Sequence, residues 1–185
     1  MADPLLGIPV GLALSTAAGL RVFVPLLLTG LAARLGYIRL TSGMAWLDSD
    51  PALVALATAT VLEIGAYYVP WLDHVLDAAA TPAAVTAGVI ATAAVTPELP
   101  PLLRWTLAIV AGGGAAGVVH AGTALVRLQS SALTLGVGNP VVATGELAGA
   151  VILSGLALLA PLLAAAVGIA VLIFVARRLL GRARG

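Results

Sequence analysis

NPVVATGELAGAVILSGLALLAPLLAAAVGIAVLIFVA, residues 139–176, runs for 38 residues with Glu146 as its only charge. A spanning helix needs about 20 mostly apolar residues to cross about 30 Å of hydrocarbon, so this run is too long for one ordinary span. Pro161, near its middle, divides it into Asn139–Ala160 and Pro161–Ala176, since a proline cannot continue the hydrogen-bond ladder of a helix interior. The rest of the 185-residue chain has the same character. It is 61% hydrophobic with 21 glycines, and only 9% of its residues are charged against roughly 25% in a soluble domain. The composition is that of a polytopic membrane protein whose first partner is the bilayer.

Measured against the same length, four further runs are candidate spans: Leu5–Ala33, interrupted by Arg21 and with Pro9 and Pro25 as kink points; Pro51–Leu72, carrying Glu63; Ala78–Val95; and Trp105–Val126, carrying Gly112, Gly113, Gly114, Gly117 and His120. Leu128–Gly138 reads as a polar connection. The predicted fold is all-α, a bundle of six transmembrane helices. Five helices are the alternative, with Gln129–Gly145 re-entrant and Leu147–Ala176 a single tilted helix. Six helices put Arg127 and the tail (Arg177, Arg178, Arg182, Arg184) in the cytoplasm and leave Arg34, Arg39 and Arg104 outside; five leave only Arg127 out, which the excess of cytoplasmic arginine favours.

An internal repetition favours six. Ala17-Ala-Gly-Leu-Arg21 resembles Ala115-Ala-Gly-Val-Val-His120, and Asp50-Pro51 with Ala59-Thr-Val-Leu-Glu63 resembles Asn139-Pro140 with Ala143-Thr-Gly-Glu146. An offset of three helices inverts one copy relative to the other, as in many secondary transporters. The expected organisation is a first three-helix repeat over 1–97, a second over 98–176, and a basic cytoplasmic tail over 177–185. Gly19 and Gly117 would then let the first and fourth helices cross closely.

Several stretches taken together resemble a known family: Ala17–Pro25 (AAGLRVFVP), Ala59–Asp73 (ATVLEIGAYYVPWLD), Ala80–Ala83 (ATPA), Leu103–Trp105 (LRW), Ala111–Ala115 (AGGGA) and Gly138–Pro140 (GNP). The combination, spread over nearly the whole chain, is similar to domain of unknown function family 4126. The resemblance implies a small multi-pass protein of the bacterial cytoplasmic (inner) membrane and no particular chemistry.

Intramembrane ionisable residues are rare and usually mark solute, ion or proton pathways. Arg21 and Glu63 are predicted to pair, as are His120 and Glu146, the second couple able to relay a proton through its imidazole. The alternative for the first is a static pair that fixes helix register, and for His120 a satisfied interhelical hydrogen bond. Asn139, after Gly136 and Gly138, is a candidate N-cap whose helix start would favour an anion, the alternative being a plain surface loop. Gly112 to Gly114 are read as close-packing positions, with Gly19, Gly113 and Gly117 as the named packing residues, the alternative for the glycine run being a helix break that exposes backbone groups to a solute. Asp73, His74 and Asp77 form a weak candidate metal set, and Tyr67, Tyr68, Trp46, Trp71 and Trp105 are read as interfacial belts.

The exclusions are broad. The absence of cysteine removes disulfides, thiolate metal sites and thiol nucleophiles, and the absence of lysine removes Schiff-base and P-loop lysine chemistry. So short a basic tail beside an apolar helix is a membrane anchor and not a nucleic-acid site. The N-terminus lacks a basic n-region, so no signal cleavage is expected. No catalytic motif and no cofactor are indicated. The reading that follows is a small secondary transporter or channel for a small solute or ion, the alternative being a membrane scaffold or assembly factor. The sequence leaves a homo-oligomer open.

Overall fold

The computed structural model describes residues 6–67, 70–96 and 99–182, with 70–79 and 182 given by their backbone alone. The described residues form helices and no strand: α1 (Gly7–Leu20), α2 (Phe23–Arg34), a 3₁₀ segment (Ser42–Asp48), α3 (Asp50–Ala66), α4 (Pro70–Ala94), α5 (Pro101–Leu107), a π segment (Ala108–Gly113), α6 (Gly114–Thr134), α7 (Asn139–Leu159) and α8 (Pro161–Arg182). Among the described residues three stretches are long and apolar enough to cross a membrane: Pro101–Thr134, Asn139–Leu159 and Pro161–Gly181. A fourth is added if the 3₁₀ segment and α3, bent by 62°, count together. The protein is therefore a helical membrane protein by length and composition.

α1 lies at the centre, packed against α4, α6, α7 and α8. Its residues Gly11, Ala13, Leu14, Ser15, Thr16, Ala17, Ala18 and Gly19 are all buried, and a helix apolar and small on every side is one surrounded by protein. Small side chains let neighbouring backbones come close. A Cβ on Gly88 of α4 would stand 2.6 Å from the carbonyl oxygen of Gly112, and one on Gly112 would stand 2.7 Å from that of Gly88. A polar seam joins α1 to α4 at this level, where the Ser15 hydroxyl lies 2.6 Å from the Thr92 hydroxyl and 2.9 Å from the Gly88 carbonyl.

Four expectations are corrected. The first span is not continuous, because α1 ends at Leu20 and α2 begins at Phe23 with Arg21 extended between them (φ −146°, ψ 127°). Pro25 explains the place: in an unbroken helix its ring would collide with the carbonyl of residue 21 and it could not donate to it, whereas in the first turn of α2 it costs nothing. The second span is shorter than Pro51–Leu72. α3 ends at Ala66 and α4 starts at Pro70, eight residues earlier than the Ala78 start read from hydropathy. The predicted polar connection at 128–138 is largely helix, since α6 continues to Thr134 and a turn of four residues leads to α7. Left-handed backbone at Leu135 (φ 53°) and Gly136 (φ 87°) makes that turn tight. Neither a re-entrant segment at 129–145 nor one long helix over 147–176 is present, because α7 and α8 are separate helices packed on each other.

Candidate functional site: a buried charge cluster at a helix break

The hairpin of α2 and α3 brings Glu63 to the break. At its outer end Arg34, in the last turn of α2, bridges to Asp50 (2.5 Å) and donates to the Asp48 carbonyl (2.9 Å). At its inner end the Glu63 carboxylate accepts from the backbone N–H groups of Val22 (2.8 Å) and Phe23 (3.2 Å). These are donors that the break itself leaves without an intrahelical partner. A negative charge at the start of a helix is also favoured by the helix dipole. Glu63 is thus spent on backbone and makes no salt bridge with Arg21, contrary to the predicted pair.

Arg21 turns to α7 instead. Its Nη2 donates to the Ala143 carbonyl (2.7 Å) and stands 3.5 Å from Glu146 Oε2. The main partner of Glu146 is Arg127, whose Nε donates to Oε1 (3.2 Å) and whose Nη2 donates to Oε2. The fork geometry of a guanidinium on a carboxylate is the strongest form of such a bond. Arg127 lies eight residues before Leu135 and Glu146 eight after Gly138, so at 1.5 Å per residue both sit about 12 Å from the α6–α7 turn. Their meeting is a consequence of the hairpin. The Tyr67 ring completes the cluster, with the guanidinium carbons of Arg21 and Arg127 at 4.0 and 3.9 Å from its centroid. Cation–π contacts of this kind strengthen when desolvated.

All five side chains are buried, Arg21 to 2% exposure. Glu146 is shared unevenly, and the consequence falls on Arg21, whose Nε and Nη1 are buried without a hydrogen-bond partner among the described residues. Ser154 Oγ, two turns beyond Glu146 on α7, is in the same condition. An unbonded guanidinium N–H in a low-dielectric interior is costly, and these donors are where the cluster can accept an anion or water.

The other predicted residues distribute around this centre. His120 is buried in α6, two turns before Arg127. Asn139 does not cap α7, since Gly138 occupies that position; its amide donates to Ser131 Oγ near the end of α6 (3.0 Å). Gly19 packs on α6, where an added Cβ would meet Ala116 O and Val119 Cβ at 2.6 Å. Gly117 does not share that crossing: it and Gly113 face Val85 of α4. Asp73, His74 and Asp77 lie in α4 where side chains are outside the described residues, and among the residues that are described there is no cluster able to hold a metal.

Two members of the cluster were read otherwise from sequence. The sequence reads Arg127 as a charge at the edge of a polar connection and Tyr67 as an interfacial aromatic, whereas both are buried, at 3% and 5% exposure. A signal for Arg127 existed. Ala116, His120 and Arg127 follow at i, i+4 and i+11, one face of a helix carried past the apparent end of the apolar run.

The family model described as Domain of unknown function (DUF4126) matches residues 8–182. The chain belongs to this family. The match takes in every residue of the charge cluster and both sides of the helix break, so the cluster lies within the domain that defines the family. No curated protein and no solved structure matches the chain.

Proposed function

We propose that this DUF4126 protein is a small secondary transporter or channel of the bacterial inner membrane, passing a small solute or ion through the centre of its bundle at the break between α1 and α2. The observation that carries the reading is Arg21: a buried cation at the junction of two half-helices, with Nε and Nη1 unbonded among the described residues. Discontinuous helices whose ends converge near the midplane are the recurrent site architecture of secondary transporters, their N-termini directed at anionic groups. Here the start of α2 is already taken by the Glu63 carboxylate, so an anionic group would be received by the open donors of Arg21. In this reading the protein is not an enzyme and needs no cofactor.

The inverted six-element arrangement belongs to the same proposal. It is supported by the order of the later elements in each half: a helix with proline at its start and one glutamate (α3 with Glu63; α7 with Glu146), then a second helix that starts on proline (α4; α8). One observation favours a scaffold as the second reading. Arg21 and Arg127 are balanced by Glu63 and Glu146, and a charge-balanced buried cluster is also what fixes register in a static assembly.

Flux of a panel of small anions, cations and neutral solutes into proteoliposomes separates the two. A transporter shows flux of a class of solutes that Arg21→Gln abolishes while the purified variant keeps its helical circular dichroism. Absence of flux across the panel, with Arg21→Gln altering only association with other membrane proteins, overturns the transport reading in favour of the scaffold.

A further inference from the structure

We propose that the groove between α6 and α8 binds an anionic phospholipid, with an acyl chain along its apolar wall and the headgroup phosphate at Arg178. The groove has a volume of about 260 Å³ and is lined by residues 119–129 of α6, residues 171–179 of α8 and Leu20 of α1. Its wall is apolar through Val119, Val126, Val171 and Val175, and its polar groups are Thr123, Gln129 and Arg178. That is the polarity of an acyl chain with a single polar end.

Three further observations select the occupant. α8 is the least covered of the long apolar stretches, with 17% of its apolar window buried in protein against 33% for the other two, so its surface is completed by lipid. Arg178 is 17 residues beyond Pro161, about 26 Å along the helix, which is headgroup level for a hydrocarbon core of about 30 Å. Its guanidinium is braced 5.2 Å from the Phe174 ring. Finally, no acidic residue follows Glu146, while Arg177, Arg178, Arg182 and Arg184 do. Basic pockets between membrane helices recognise phosphate headgroups. The same charges oppose a second copy of the chain, because a symmetric contact of parallel copies across α8 would set the two arginine clusters against each other.

The test titrates delipidated, purified protein with phosphatidylglycerol and phosphatidylcholine of identical chains, read by native mass spectrometry. The unaltered protein takes up phosphatidylglycerol at about fivefold lower concentration, the contribution of one arginine near a headgroup. Arg178→Gln brings the two lipids to within twofold of each other, while Arg178→Lys and Arg177→Gln keep the preference. Val126→Trp, at a position 48% exposed where a larger side chain folds without strain, weakens both lipids alike. Equal uptake of the two lipids by the unaltered protein overturns the proposal, as does a preference that Arg178→Gln leaves intact. So does a dimer that Val126→Trp dissolves.

Discussion

Glu146→Gln is the most informative single change, because it strands two cations at once. The carboxylate is 5% exposed, accepts two bonds from Arg127 and holds Nη2 of Arg21 at 3.5 Å. Removing one partner of a buried ion pair costs roughly 3 to 5 kcal/mol, most of it the penalty on the charge left behind. With two arginines left behind, Glu146→Gln belongs at the upper end of that range. Arg127→Gln belongs at the lower end, since Arg21 remains to neutralise the carboxylate. The double variant is expected to cost less than the sum by about 2 kcal/mol, within the coupling measured for contacting residues. In thermal unfolding in detergent, followed by tryptophan fluorescence, that coupling is roughly 4 to 8 °C for a chain of this length. The reference cycle is Arg21→Gln with Glu63→Gln, which do not form a salt bridge and should couple less than half as strongly. Additive losses for Arg127 and Glu146, or a coupling for Arg21 and Glu63 as large as theirs, would refute the pairing.

Glu63→Ala leaves the N–H groups of Val22 and Phe23 unbonded, a loss of about 1 to 3 kcal/mol each; sodium formate should restore part of the lost Tm in this variant only, and an equal effect on the unaltered protein would show that the carboxylate does not hold the helix start. Gly88→Ala should destabilise, because its Cβ meets the Gly112 carbonyl at 2.6 Å, whereas Gly114→Ala, with open space around it, should be neutral or stabilise by up to about 1 kcal/mol through helix propensity; the reverse order in Tm would contradict the α4 crossing. Tyr67→Leu, which removes the ring from both guanidinium groups, should lower stability by about 2 kcal/mol or more in the same unfolding assay, and a change under 0.5 kcal/mol would mean that the ring contributes nothing to either cation.

The solvent and the helical class of the fold were legible without coordinates, because both depend on local quantities. A 38-residue apolar run with one charge must be membrane helix, and Pro161 must interrupt it; the structure divides the run there, with α7 ending at Leu159 and α8 starting at Pro161. That Arg21, Glu63, His120 and Glu146 would be buried was equally readable, since a charge inside an apolar run cannot face lipid cheaply. Which of them meet was not. Pairing depends on the rotation of each helix about its axis and on where a span breaks, and neither is recorded in spacing alone. Pro25 marked the first span as interruptible, but only the arrival of α3 alongside α2 turned the freed N–H groups of Val22 and Phe23 into the partners of Glu63. Arg127 illustrates the other limit. Its neighbours Leu128 to Gly138 are too polar to read as membrane helix, and its charge was assigned to a loop. In the tertiary structure α6 runs on to Thr134, and a buried carboxylate on α7, one hairpin away, compensates the burial of the Arg127 guanidinium.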